Sequence, residues 1–149
     1  MPVVRNPQFN FKEGFCWILT LNEFSEYQKA RLKTSSVNDV NAMALYPYED
    51  CKKYLKYFIC LLNSFFIFYY KRNFISGNSA FQINDARQLP IIIPDEQILK
   101  QFDSLFDEAI AIKENQFRLS SSFDAEEDEK KLSVIQEKLD QLVKQLYHI

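Results

Sequence analysis

The sequence holds two glycines, Gly14 and Gly77, in 149 residues. A phosphate-cradling loop needs two or three glycines within a few positions, so glycine-rich nucleotide loops are excluded. There is one histidine, His148, which removes His-rich metal sites and makes a Ser-His catalytic pair a poor reading. The three cysteines, Cys16, Cys51 and Cys60, form no C-x-x-C pair, and an odd number closes no disulfide framework. They read as small, inert core residues of a protein kept in a reducing cytoplasm. No secretory leader is visible at Met1–Asn6, where no apolar run follows a basic region. The stretch that invites a membrane reading, Tyr57 to Tyr70, has 14 residues and contains Asn63 and Ser64. A bilayer-spanning helix needs about 20, so a buried core helix is the better account.

What is abundant is aromatic. Aromatic residues make up 15% of the chain, with 14 Phe and 8 Tyr, most of them before residue 82. The net charge of −2 hides an asymmetry. Residues 1–94 carry 11 Lys and Arg against 7 Asp and Glu, whereas residues 95–149 carry 7 against 13. The first part can face an anion; the second is poorly suited to one.

The apolar run Phe15–Leu21 predicts a buried strand, and Ala42–Tyr46 a second one stopped by Pro47. Between them a short helix over 23–33 is expected, capped by Asn22, with Phe24, Tyr27 and Leu32 on one side, followed by a polar loop over 34–41. Residues 49–72 predict one continuous helix, with Glu49 and Asp50 in its first turn and Lys71 and Arg72 in its last. Its apolar positions Cys51, Leu55, Phe58, Leu62, Phe65 and Tyr69 follow helical steps. A turn centred on Gly77 and short strands over 81–83 and 89–93 follow, the last bracketed by Pro90 and Pro94. Beyond Pro94 a heptad seam runs through Ile98, Phe102, Leu105, Ala109, Ile112, Gln116 and Leu119. After a polar stretch over 120–129, a second seam runs through Leu132, Ile135, Leu139, Leu142, Leu146 and Ile149. The chain therefore reads as α+β. A small mixed β-sheet domain packed on an aromatic-rich helix fills 1–94, and an antiparallel two-helix coiled-coil hairpin, a spacer or docking arm, fills 95–149.

Most of the 20 carboxylates cluster in the arm, where a solvated helical face accounts for them better than an acid–base pair. No catalytic and no metal-ligating residue is assigned. Two loops have the composition of a nucleic-acid surface, roughly 28–41 and 71–79. Lys29, Arg31, Lys33, Lys71, Arg72, Asn73, Asn78 and Ser79 are the candidate DNA-binding residues. Lys and Arg hold phosphates and pair with guanine edges, and Asn can pair with adenine edges. On charge alone, a merely loop-rich and modestly basic surface stays open, as does a plain helix C-cap for Lys71 and Arg72.

An ordered series of short motifs carries a resemblance. Gly14-Phe15-Cys16-Trp17, Arg31-Leu32, Leu45-Tyr46-Pro47, Leu61-Leu62-Asn63-Ser64 and the stretch from Phe81 to Leu89-Pro90-Ile91-Ile92-Ile93-Pro94 occur in that order. Pro94-Asp95-Glu96-Gln97 then opens a long helix, and Ile135 to Tyr147 closes the series. Across about residues 12–147 this resembles the target recognition domains of Taq-like and type IIG adenine methyltransferase–restriction enzymes, with type I restriction specificity subunits as relatives. Ile92 stands where that family often has proline, and His148 where glycine is usual. The resemblance implies a DNA-reading part of a restriction–modification system. The Asn-Pro-Pro-Tyr-like tetrapeptide and cofactor loop of the catalytic part have no counterpart here. S-adenosylmethionine would bind the catalytic partner, a methyltransferase or endonuclease domain or subunit; no cofactor is expected in this chain. Expected partners are thus double-stranded DNA and that catalytic part, with self-association through the arm and no membrane. Two alternatives stay open: a non-catalytic protein-interaction module docking through the coiled-coil arm, and a membrane-surface protein using the aromatic helix.

Overall fold

The computed structural model describes residues 7–22, 25–37, 41–118 and 125–149. The fold is α+β. Three strands, β1 (Gly14–Ile18), β2 (Ala30–Lys33) and β3 (Ala42–Leu45), form an antiparallel sheet in the order β2-β1-β3, so the described sheet is not mixed. Phe15 lies opposite Leu32 and Leu45, and Trp17 opposite Ala30 and Met43. Both aromatic rings point into the core. Gly14 is required by proximity, because a Cβ there would sit 2.2 Å from the carbonyl oxygen of Leu45.

The helix expected over 49–72 is broken. A 3-10 stretch over Glu49–Tyr54 leads into α1 (Leu55–Leu62), and α2 (Phe65–Tyr70) then starts afresh before a π turn over Lys71–Ile75. The break has a side-chain cause. Ser64 is fully buried, donates to the carbonyl of Leu61 at 2.7 Å and accepts from the N–H of Ile67 at 3.3 Å, which makes it the N-cap of α2. The change of direction also changes what is buried. Tyr57, Ile59, Cys60, Leu61, Leu62 and Ile67 enter the core, while Phe65 and Tyr69 of the expected apolar face stand exposed.

Three other expectations are corrected. Residues 30–33 are strand β2 rather than the end of a helix, because pairing with β1 overrides local propensity. The Asn22 side chain accepts from the Ser25 hydroxyl at 2.7 Å; Phe24 lies outside the described residues. Residues 81–83 are not a strand. Ala80 makes one bridge with Thr20, Phe81 drops into the core, and α3 (Ile83–Ala86) begins with the Gln82 N–H on the Asp85 carboxylate at 2.9 Å. Residues 89–93 run without a strand partner. Pro90 has no N–H to give a ladder, and its carbonyl accepts from the Tyr147 hydroxyl at 2.5 Å. The carbonyl of Ile92 accepts from the Tyr57 hydroxyl.

Asp95 caps α4 (Glu96–Phe117) through the N–H of Ile98 at 2.8 Å. Its partner is α5 (Ala125–Tyr147), which takes in residues 125–129 of the polar stretch, placing Glu126, Glu127 and Asp128 in its first turn. The two run antiparallel, with Lys113 bridging to Glu129 at 3.2 Å and Leu105 sharing a groove with Leu142. Along the seam Phe102, Ile135, Leu139, Leu142 and Leu146 are buried, Leu105 and Ile112 are half-buried, and Ile149 is exposed. Leu119 lies outside the described residues. Val143, off the expected seam, is fully buried. The base of the hairpin belongs to the main core: Leu99, Phe102, Leu139, Leu142, Val143 and Leu146 pack in one cluster with Trp17, Tyr57 and Leu61. Among the described residues no helix is long and apolar enough to cross a membrane.

Candidate nucleic-acid interface

The antiparallel sheet sorts its loops to two ends. The C-terminal end of β1 coincides with the starts of β2 and β3. There the N–H of Leu19 donates to the carbonyl of Asn41 at 2.9 Å, and the bridge between Thr20 and Ala80 draws residues 77–81 alongside. The N–H of Leu21 donates to the carbonyl of Ser79 at 3.2 Å. Lys29 stands at this end, immediately before β2, in a left-handed conformation with φ 58°. Arg31 follows two residues later, exposed and opposite Cys16. Arg72, Asn73, Asn78 and Ser79 are exposed on the segment that returns from α2 to the bridge.

Buried polar side chains fix these loops. Gln28 is 3% exposed and donates from Nε2 to the carbonyl of Ile18 at 3.0 Å. Lys71 is 6% exposed and its ammonium donates to the carbonyl of Asn78, closing the 71–79 segment on itself. Burial pushes the Lys71 pKa below the ordinary lysine value. A cleft of about 150 Å³, lined by Asn22, Ser25, Gln28, Arg72 and Asn78 among others, separates the two loop groups.

Lys33 is placed elsewhere. It pairs with Gly14 at the opposite end of the sheet, is 3% exposed, and spends its ammonium on the carbonyls of Lys12 and Ser36 at 2.7 Å and Thr34 at 3.3 Å. Its Nζ also lies 5.4 Å from the centre of the Tyr46 ring. Lys33 and Lys71 are therefore internal fasteners whose charge is turned inward onto backbone. Of the eight residues expected from the sequence, Lys29, Arg31, Arg72, Asn73, Asn78 and Ser79 present exposed side chains. Asn41 is also exposed at this end, where β3 begins, and Phe74, 68% exposed, follows Arg72 and Asn73 on the π turn. The only signal for Phe74 in the sequence is one ring beside Ile75 in a turn otherwise made of polar residues and glycine.

Among the described residues, no group of three His, Cys, Asp or Glu side chains is disposed to hold a metal ion. Burial pushes the Cys60 thiol up to about 12, which makes a thiolate inaccessible at neutral pH. Along the arm, two adjoining hollows of about 920 and 470 Å³ run between α4 and α5, past Leu105, Ile112, Val134 and Lys138. The chain matches no protein-family model, and no curated protein matches it.

Proposed function

We propose that this chain reads DNA sequence for a restriction–modification system. It would lend target specificity to an adenine-N6 methyltransferase or endonuclease whose catalytic part lies outside this chain. One observation carries the proposal: exposed Lys29, Arg72, Asn73, Asn78 and Ser79 stand at the end of the sheet where β1 stops, on segments held by buried Gln28 and Lys71, with exposed Arg31 on the adjoining strand β2. Cations there would set register on phosphates, and the amides and Arg31 would reach base edges. The ordered motifs of the sequence support the same reading. S-adenosylmethionine belongs to the catalytic partner, so calorimetry of this chain with the cofactor is expected to show no binding heat. The arm would dock that partner, in the cytoplasm where three free thiols stay reduced.

The test is anisotropy titration with duplex DNA at several salt concentrations. Affinity is expected to fall as salt rises. Lys29→Ala, Arg31→Ala and Arg72→Ala should each reduce the logarithmic salt slope by about 1 for every phosphate that is no longer neutralised. Absent binding overturns the proposal. The hollows along α4 and α5 favour a second reading, a protein-interaction module that docks a partner helix or a second copy through the arm. Self-association in sedimentation, together with no DNA affinity, would favour it.

A further inference from the structure

The aromatic residues of α2 and the π turn form a chain of ring contacts that leads from the core to solvent. Tyr147 meets Phe66 with ring centres 4.5 Å apart, Phe66 meets Tyr70 at 5.9 Å, and Tyr70 meets Phe74 at 5.1 Å. Tyr69, half exposed, braces Phe74 edge-on at 6.4 Å. Phe74 is the outermost ring, 68% exposed, yet it is not loose. The π turn that carries it is closed by the N–H of Ser76 on the carbonyl of Lys71 at 2.8 Å, and by the Lys71 ammonium on Asn78. Asn73 ties back to the carbonyl of Tyr69 at 2.8 Å. An exposed apolar ring so firmly presented, directly after Arg72 and Asn73 and in the segment of Asn78 and Ser79, has the makings of a base-contacting wedge. Its cationic and amide neighbours suit a polyanion with hydrogen-bonding edges better than an apolar protein groove.

We infer that Phe74 lies against a base face in bound DNA, entering where a base step is opened, with Tyr69 and Tyr70 as its backing. This rests on the proposed DNA-reading function and adds a stacking contact to it. Ring–base stacking tolerates any sequence, so it would contribute affinity for opened DNA while the polar neighbours discriminate. Opening a step costs least where a base is already unpaired, so a mismatched duplex should bind more tightly than a paired one.

The experiment uses the full chain and two duplexes of one mixed sequence, each carrying 2-aminopurine. In one it is paired with thymine; in the other it is mismatched. The parent is expected to favour the mismatched duplex by roughly ten-fold and to quench its fluorescence. Phe74→Ala should abolish the preference and the quenching while leaving the salt slope of paired-duplex binding unchanged. Phe74→Trp should restore both. A parent that binds DNA without preference or quenching overturns the wedge alone, as does a Phe74→Ala chain that keeps both. So does a Phe74→Ala chain that loses paired and mismatched binding equally, or loses only binding to a protein partner. A parent that binds neither duplex overturns the DNA-reading proposal together with the wedge.

Discussion

The side-chain amide of Asn63 meets both backbone groups of Ala30. Oδ1 accepts from its N–H at 2.7 Å and Nδ2 donates to its C=O at 2.8 Å. A helix-end side chain thereby stands where a fourth strand would pair, and it blunts one edge of the sheet. The arrangement also explains why α1 stops at Leu62, since Asn63 turns outward to β2 and Ser64 caps the next helix. Replacing Asn63 by Ala should leave a partly buried N–H and C=O unpaired and cost about 2–4 kcal/mol in denaturant unfolding. Asn63→Asp keeps only an acceptor and should fall between the two.

A second expectation separates fasteners from surface cations. Lys33→Met removes the donor shared by Lys12 and Ser36 and should cost about 1–3 kcal/mol. Arg31→Ala, on an exposed side chain, should change stability by no more than about 0.5 kcal/mol. Thermal melts of the two variants side by side check the contrast.

The arm offers a third. Leu139 is 6% exposed where hairpin and core meet, so Leu139→Ala should cost ~2–5 kcal/mol. Val134 faces the groove at 49% exposure, and its truncation should cost less than about 1 kcal/mol. Urea unfolding midpoints distinguish them.

Alkaline pH supplies a fourth. Burial pushes the Cys60 thiol from 9.0 up to about 12, and raises the Tyr57 and Tyr147 phenols above their ordinary 10.0. From about pH 9 upward the unfolded chain ionises these groups while the folded chain keeps their protons, so stability falls as pH rises. Tyr27 and Tyr46 are raised as well, and Lys71, lowered by burial, works in the other direction as one group against five. Unfolding midpoints at about pH 8 and pH 11 should show the loss. Tyr57→Phe with Tyr147→Phe should start lower at the milder pH and decline less steeply.

How much of the fold is legible in the sequence depends on how local the cause is. The strand around Trp17 announces itself as a continuous apolar run, buried at four successive positions, and the seam through Leu139, Leu142 and Leu146 by burial that repeats with the helical period. The break at Asn63 and Ser64 does not. Apolar residues continue at helical steps on both sides, and the reason for stopping, Ala30, lies 33 residues away. β2 is hidden for the same reason, since its four residues are strand only beside β1. At the candidate interface, composition marks the 71–79 segment, but the stretch read as a loop over 28–41 contains β2, and nothing local distinguishes the inward ammonium groups of Lys33 and Lys71 from the outward charges of Lys29 and Arg72. Their carbonyl partners are chosen by the fold.

Tyr57 comes from α1 and Tyr147 from the end of α5, yet their hydroxyls close on the carbonyls of Ile92 and Pro90 in the same crossing segment. The bearing of the hairpin is thus locked at its root by two hydrogen bonds from different helices, beside a shared apolar packing. If the arm docks a partner as proposed, locking of this kind makes it a caliper. α4 has 22 residues, and at 1.5 Å per residue it reaches about 33 Å, so anything gripping its tip stands at a set span from Lys29 and Asn78. Lengthening both helices by one heptad would move that grip outward by about 10 Å without touching a single residue of the loops.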